Sequence, residues 1–208
     1  MVHGDDRGLV LPPRVSPIQV VIVPIYYSEP DKEQIIKKSK DIEQALSKKK
    51  IRAHIDLRDE FTPGYKFHDW EMKGVPLRVE VGPKDLAKGK MVLVRRDNQK
   101  KTDLSFENAE NGIDLMLTEI QQSLFEKAKS FLDEKSKVES DFEKFKSELE
   151  NGLFLNSPWC GDQKCEEMIK ETTGADIRVI PFNNKKSDAP CIWCKKPSKE
   201  MAIFACGY

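Results

Sequence analysis

Residues 56–85 read DLRDEFTPGYKFHDWEMKGVPLRVEVGPKD. Thr62 is a residue type that caps helices, and Pro63 suits a first helical position, where the missing N–H would have no partner anyway. Gly74 supplies a C-cap, and Pro76 prevents continuation. The stretch therefore predicts a helix ending near Lys73. Leu77, Val79 and Val81 then alternate with Arg78 and Glu80, the pattern of a half-buried strand, and Gly82-Pro83 ends it. Ordinary core segments do not place Phe67, His68, Trp70, Glu71, Lys73, Arg78, Glu80, Lys84 and Asp85 within so few residues. The stretch reads as a surface built to recognise unpaired nucleic-acid bases.

Upstream, Ile18–Ile25 (IQVVIVPI) is a continuous, β-branched-rich run, as in a strand buried on both faces. Ser28, with Asp31 three residues on, marks a helix start. The helix runs to about Lys49 with Ile35, Ile36, Ile42, Ala45 and Leu46 on one side and lysines on a solvated face. Ile51–Leu57 is a second strand, so strand, helix and strand imply parallel pairing. Downstream, Met91–Val94 and Lys101–Leu104 are strands joined by a turn at Asp97-Asn98-Gln99. Ser105 is placed to cap a long helix carrying Ile113, Leu117, Ile120, Leu124 and Phe131. The fold class is therefore α/β, with a mixed five-stranded sheet flanked by helices over residues 18–134. A small α+β domain over residues 135–208 follows a polar linker at Glu134–Ser140. It holds a helix marked by Val138, Phe142, Phe145 and Leu149, and a helix over Cys165–Thr172. Short strands fall at Leu153–Trp159, Ile177–Phe182 and Met201–Ala205, and residues 183–189 form a loop. Residues 1–17, with one short strand at Leu9–Leu11 and three prolines, read as the tail of an upstream domain.

The 208 residues are 38% hydrophobic and 34% charged, with 35 basic and 35 acidic side chains. Zero net charge excludes indiscriminate polyanion binding, so any nucleic-acid contact must come from a local patch. No apolar run approaches the roughly 20 residues of a membrane span, and the polar start MVHGDDRG is no signal peptide. These features are those of a soluble, cytoplasmic protein. In that compartment cysteines serve as metal ligands or free thiols more often than as disulfides.

Cys160 and Cys165 are spaced C-x4-C, and Cys191 and Cys194 are spaced C-x2-C. Four thiolates can close a tetrahedral structural zinc site, and a thin core of about 70 residues gains from such a staple. The alternative is four free cysteines. A redox role for Cys191 and Cys194 fits less well, because Pro197 interrupts any following helix. Cys206 reads as a buried strand residue. No catalytic arrangement is visible: His3, His54 and His68 are scattered, Gly-rich phosphate loops are missing, and Asp5-Asp6 beside Gly4 reads as a turn.

The strings HGDDRGLVLPPRVSPIQVVIVPI and DLRDEFTPGYKFHDWEMKGVPLRVEVGPKD, the four cysteines and the terminal Tyr208 resemble prolyl-tRNA synthetase of the eukaryotic/archaeal type, from end to end. The resemblance implies that residues 1–17 are the tail of a class II catalytic domain. It implies an anticodon-binding domain next, and a small zinc-holding domain whose chain end turns back toward the active site. In that family the catalytic motifs, with their sites for ATP, Mg and proline, lie upstream of residue 1. The implied activity is thus attachment of proline to tRNA(Pro), with this chain binding tRNA(Pro) but not activating proline. The implied partners are tRNA(Pro), the catalytic domain and a second copy in a homodimer.

The family reads an anticodon whose last two bases are guanine. An unstacked guanine offers N1–H and N2–H donors, which one carboxylate accepts together, and O6 and N7 acceptors, which Arg or Lys satisfies. Glu71 suits the first role; Arg78 and Lys84 suit the second. Phe67 lies one helical turn before Glu71, so its ring can stack a base beside the carboxylate. By the motif match Phe67, Glu71, Arg78, Lys84, Asp85 and Lys100 are the anticodon-contacting positions. Lys66, Arg95 and Arg96 are expected phosphate contacts, and Trp70 is expected in the core. Glu80 is expected to form a surface ion pair with Arg78 or Lys73. An alternative function is a non-catalytic accessory or regulatory protein using an anticodon-binding-like fold; a zinc-stabilised dimerisation module is a third.

Overall fold

The computed structural model describes residues 3–182 and 188–207. Tyr208, and residues 183–187 of the expected loop, lie outside the described residues. The chain forms two compact units, Met1–Glu126 and Lys127–Tyr208.

The first unit opens with a small antiparallel hairpin, β1 (Gly4–Asp5) and β2 (Gly8–Leu9). Then come β3 (Val20–Pro24), α1 (Glu29–Lys48), β4 (Ala53–Ile55), α2 (Pro63–Met72) and β5 (Leu77–Val81). The unit continues with α3 (Pro83–Ala87), β6 (Lys90–Arg95), β7 (Lys101–Ser105), a single 3-10 turn at Phe106–Asn108, and α4 (Ala109–Glu134). The unit boundary falls inside α4. The sheet order is β4-β3-β5-β6-β7, with β3 parallel to both β4 and β5 and the β5-β6-β7 run antiparallel. This is the mixed five-stranded sheet expected from the sequence.

The alternation of β3 divides the core in two. Val20 and Ile22 pack with Ile35, Ile42 and Leu46 of α1 and with Ile113, Leu117 and Ile120 of α4. Val21 and Val23 pack with Trp70, Val75 and the half-buried Phe67. Successive strand residues point to opposite faces, so a strand covered on both sides must be apolar throughout. Val20, Val21, Ile22 and Val23 are all fully buried. At the far edge, β7 leaves Lys101 and Asp103 exposed.

Several local expectations differ. Ser28 stands at the N-cap of α1, but its hydroxyl donates to Asp31 Oδ2 at 2.6 Å instead of capping a backbone N–H. Gly82-Pro83 ends β5 and also starts α3, where Asp85 Oδ2 accepts from the Gly82 N–H at 3.1 Å. Ser105 precedes the 3-10 turn and makes no side-chain cap.

The second unit holds β8 (Ser136–Val138), α5 (Phe142–Glu150), β9 (Phe154–Trp159), α6 (Gln163–Thr173), β10 (Ala175–Val179) and β11 (Glu200–Cys206). Their sheet order is β10-β11-β9-β8, with β8 parallel to β9 and the other pairs antiparallel. Phe145, Leu149, Leu155, Ile169, Ile192 and Phe204 fill its core. The expected polar linker is in part a strand: β8 is exposed at every residue, and Val138 belongs to it rather than to a helix. Cys206 is exposed, not buried. No helix among the described residues is long and apolar enough to cross a membrane.

Candidate nucleic-acid interface and metal centre

The helix α2 is fixed at both ends by the residues that predict it. Thr62 Oγ1 accepts from the Tyr65 N–H at 3.3 Å, and Gly74, at φ 72°, turns the chain out of the helix. Its inner face is held by Asp56, whose side chain is fully buried. Oδ2 of Asp56 accepts from the Trp70 indole N–H and from Arg58 Nη2, both at 2.7 Å, and Oδ1 accepts from Arg58 Nε at 2.9 Å. Burial pushes this carboxyl up, but the Arg58 guanidinium and the Trp70 indole outweigh it and hold it well below the usual carboxylate range. Trp70 is therefore a core residue with its one polar atom satisfied.

Phe67 and Glu71 of α2 and Arg78 of β5 are all half-buried. The Arg78 guanidinium lies over the Phe67 ring, 4.3 Å from its centroid. Cation–π contact of this kind fixes both groups, and one ring face is taken by Arg78 rather than left open for a base. Arg78 Nε donates to Glu80 Oε1 at 3.0 Å, with both side chains largely buried, so the expected surface ion pair is instead an interior one. Glu71 and Arg78 line one cleft with Arg95, Arg96 and Gln99. Gln99, in the β6–β7 turn with φ 60°, was not singled out in the sequence.

Lys84 stands exposed on α3 beside Asp85, whose carboxylate is engaged in capping. Lys100 is exposed at the end of the β6–β7 turn. The three expected phosphate contacts are placed differently. Lys66 is buried, with Nζ donating to the Asp56 carbonyl at 3.2 Å. Arg95 is buried and bidentate on Asp97, at 2.9 and 2.6 Å. Arg96 is buried and bidentate on Asp5, at 2.8 and 2.5 Å, while its Nε donates to the Glu71 carbonyl at 2.9 Å. A long cationic side chain with an acidic partner within reach of its burial site folds inward, where charge-assisted bonds are strong.

The N-terminal residues also enter this site. Arg7 Nη1 donates to Glu71 Oε1 at 3.3 Å. The Asp5–Asp6 turn reading is met by the Arg7 N–H donating to Asp5 Oδ1 at 2.9 Å. The Arg96 guanidinium on Asp5 holds that carboxyl well below the usual range. The hairpin seats closely: a Cβ on Gly8 would stand 2.6 Å from Met72 backbone, and one on Gly74 would stand 2.7 Å from Leu9 backbone. Both glycines have positive φ, so both are required by conformation and by space.

In the second unit the four cysteine sulfurs all lie within 4.8 Å of one another. Cys160 follows β9, Cys165 is in the first turn of α6 capped by Asp162, and Cys191 and Cys194 share a turn closed by the Lys195 N–H donating to the Cys191 carbonyl at 3.1 Å. Cys160, Cys165 and Cys191 are buried. Burial pushes the Cys160 and Cys165 thiols up, and adjacent thiols push Cys165 up further. The Lys196 backbone N–H pulls Cys194 down to about 7. Sulfurs crowded this closely resist ionising together unless a cation sits among them, and backbone N–H donors to sulfur favour the thiolate form. The donor set is able to hold a metal ion.

Comparison with known proteins agrees with both halves. A family model described as anticodon binding domain matches residues 19–114, and one described as prolyl-tRNA synthetase, C-terminal, matches residues 142–208. The chain is 44% identical over 208 residues to a proline–tRNA ligase of Cenarchaeum symbiosum, covering all of this chain and 43% of that protein. It is 42% identical over 209 residues to a proline–tRNA ligase of Ruminiclostridium cellulolyticum and 41% identical to one of Alkaliphilus oremlandii, with the same coverage. The chain thus spans less than half the length of the curated relatives it matches. With an anticodon-binding domain followed by a prolyl-tRNA synthetase C-terminal domain, the chain is similar from end to end to part of those proline–tRNA ligases.

Proposed function

We propose that this chain selects tRNA(Pro) by reading the two guanines of its anticodon, as the C-terminal portion of a proline–tRNA ligase. The observation that carries the reading is the convergence of Glu71 on α2 with Arg78 on β5 at one cleft, where the Phe67 ring backs the Arg78 guanidinium. An acceptor for the N1–H and N2–H edge and a donor for O6 and N7 then line the same cleft, a pairing that suits guanine. Lys84 and Lys100 supply the exposed positive charge nearby, and Asp85 holds the start of α3 in place. Lys66, Arg95 and Arg96 act as internal braces in this reading rather than as phosphate contacts.

The Cys160, Cys165, Cys191 and Cys194 cluster holds a structural zinc ion in the same proposal. Zn–S bonds near 2.3 Å in a tetrahedron put sulfurs about 3.8 Å apart. Cys160 lies 3.5 Å from Cys165 and 3.7 Å from Cys194, close to that spacing. Proline activation, with ATP and Mg, belongs to the class II catalytic domain of such a ligase. This chain alone is therefore proposed to bind tRNA without aminoacylating it. A homodimeric, cytoplasmic parent enzyme completes the proposal.

The deciding experiment is binding of the 208-residue chain to tRNA(Pro) and to the same tRNA with both anticodon guanines replaced. Selective binding, with a loss of about 1–3 kcal/mol on Glu71→Ala or Arg78→Ala, is expected. Equal affinity for the two tRNAs would refute the proposal.

A further inference from the structure

We infer that the Asp5–Arg7 hairpin is a specificity element that positions Glu71, which makes Arg7 and Asp5 positioning residues for guanine recognition. The inference rests on the proposed role of Glu71 and goes beyond it by naming what fixes that carboxylate.

Beyond the backbone bonds at the end of α2, Glu71 is held by two guanidinium groups, and both lead to the hairpin. Its carboxylate is held by Arg7, through Oε1 at 3.3 Å. Its main-chain carbonyl is held by Arg96 Nε at 2.9 Å. Arg96 is itself locked by both oxygens of Asp5. The carbonyl lies in the last turn of α2, where it also accepts the Gly74 N–H at 3.0 Å and where the helix dipole favours a guanidinium. A free glutamate rotates about its terminal torsion with little preference. A carboxylate that must accept two parallel N–H groups from one base edge gains from having that rotation stopped before binding. Arg7 stops it from one side: among the described residues no hydrogen bond engages Oε2, so one oxygen and the remaining lone pair of Oε1 stay available.

The hairpin is not a loosely attached strand pair that happens to touch Glu71. Leu11 N–H donates to the Gly74 carbonyl at 3.3 Å, and the Gly8–Met72 and Gly74–Leu9 approaches leave no space for a Cβ on either glycine. The backbone thus sets Arg7 opposite the end of α2. The Arg7 side chain itself is 59% exposed, while that of Glu71 is 15% exposed. An ion pair with one exposed partner contributes little to folding, so Arg7 can be removed without unfolding the unit. Its contribution is orientation.

The probe is an RNA hairpin whose loop carries the two anticodon guanines, compared with the same hairpin carrying inosine, which lacks the N2 amino group. The readout is the ratio of the two affinities, measured for the whole chain at fixed salt. Wild type is expected to prefer guanine by about tenfold. Arg7→Ala is expected to reduce that preference by about fivefold, while binding of the inosine RNA changes by less than about twofold. Asp5→Asn, which weakens the lock on Arg96, is expected to move the ratio the same way. An unchanged ratio in Arg7→Ala, or an equal fall for both RNAs, overturns the inference, since a purely electrostatic role would weaken both alike. Glu71→Gln separates the two levels. If wild type shows no guanine preference, or Glu71→Gln retains it in full, the reading of Glu71 fails and this inference with it. If Glu71→Gln loses the preference and Arg7→Ala does not, only the role of the hairpin fails.

Discussion

Replacing Asp56 by alanine should loosen α2, the helix that carries Phe67 and Glu71, without touching either. The wild-type carboxylate is fully buried and receives the Trp70 indole N–H, two guanidinium bonds from Arg58 and the Arg58 backbone N–H. Lys66 Nζ stands 3.9 Å from it in an almost closed environment. Arg58 is partly exposed and keeps Asp69 at 2.7 Å, so its share of the loss is small. Lys66 loses its nearest carboxylate and keeps the residue 56 main-chain carbonyl, and the Trp70 indole loses its partner inside the core. Leaving a buried donor unsatisfied costs about 1–3 kcal/mol, and removing one partner of a buried ion pair about 3–5 kcal/mol. The two effects overlap, so Asp56→Ala should cost about 4 kcal/mol, against about 1–2 kcal/mol for removing the indole donor alone. Two units and three tryptophans make a single fluorescence transition ambiguous. Native-state hydrogen exchange of the α2 and β3 amides in urea reads the first unit directly. The sign of the pH dependence follows from the depressed carboxyl. Its stabilisation is complete above the unfolded-state value of about 3.9 and is lost as pH falls through the lower native value. The unit should therefore weaken on acidification below about pH 4, and Asp56→Ala should flatten that decline. A cost below about 1 kcal/mol with an unaltered acid profile would refute the assignment of Asp56 as the anchor of α2.

Metal analysis should find about one zinc per chain, and Cys191→Ser or prolonged chelation should unfold the second unit while the first keeps its melting temperature. A second unit that melts identically with and without chelator would rule out the staple. Arg95→Ala leaves the buried Asp97 without its bidentate partner and should destabilise the first unit by about 3 kcal/mol. The salt dependence of RNA binding should stay unchanged, whereas a slope smaller by about one would return Arg95 to the phosphate contacts. Thr62→Ala should cost about 1 kcal/mol by removing the α2 cap, measured by thermal melting of the first unit.

How much of this was legible depends on whether a residue's partner is local. The β3 run is unmistakable because burial on both faces removes every polar residue from it. The limits of α2 are equally plain, since Thr62, Pro63 and Gly74 act through backbone geometry within one turn. The α3 helix is hidden because Gly82-Pro83 ends a strand and starts a helix with the same two residues. The β8 strand is hidden because Ser136, Lys137 and Val138 bury nothing; pairing with β9 alone defines it. The cysteine spacing is legible as a donor set able to hold a metal ion because thiolate chemistry limits the alternatives. Lys66 and Arg96 mislead because their acceptors, Asp56 and Asp5, come close only through the fold. Arg95 is different: Asp97 stands two residues on, so that pair was visible in the sequence. The role of Arg7 has no local signal at all, except that Gly8 permits the turn that presents it.

The outer strand β7 has a bearing on how this protein keeps to itself. A strand at a sheet margin offers unbonded backbone groups to any other chain that arrives in extended form. Here the outward side chains of that margin include Lys101 and Asp103, and Asp103 is tied across to Lys90. A neighbouring molecule that docked there would have to strip water from both charges along the line of new backbone bonds. The two residues thus discourage edge-to-edge aggregation, and they do so with no net charge, which matters in a chain whose acidic and basic side chains cancel and whose overall repulsion is therefore weak.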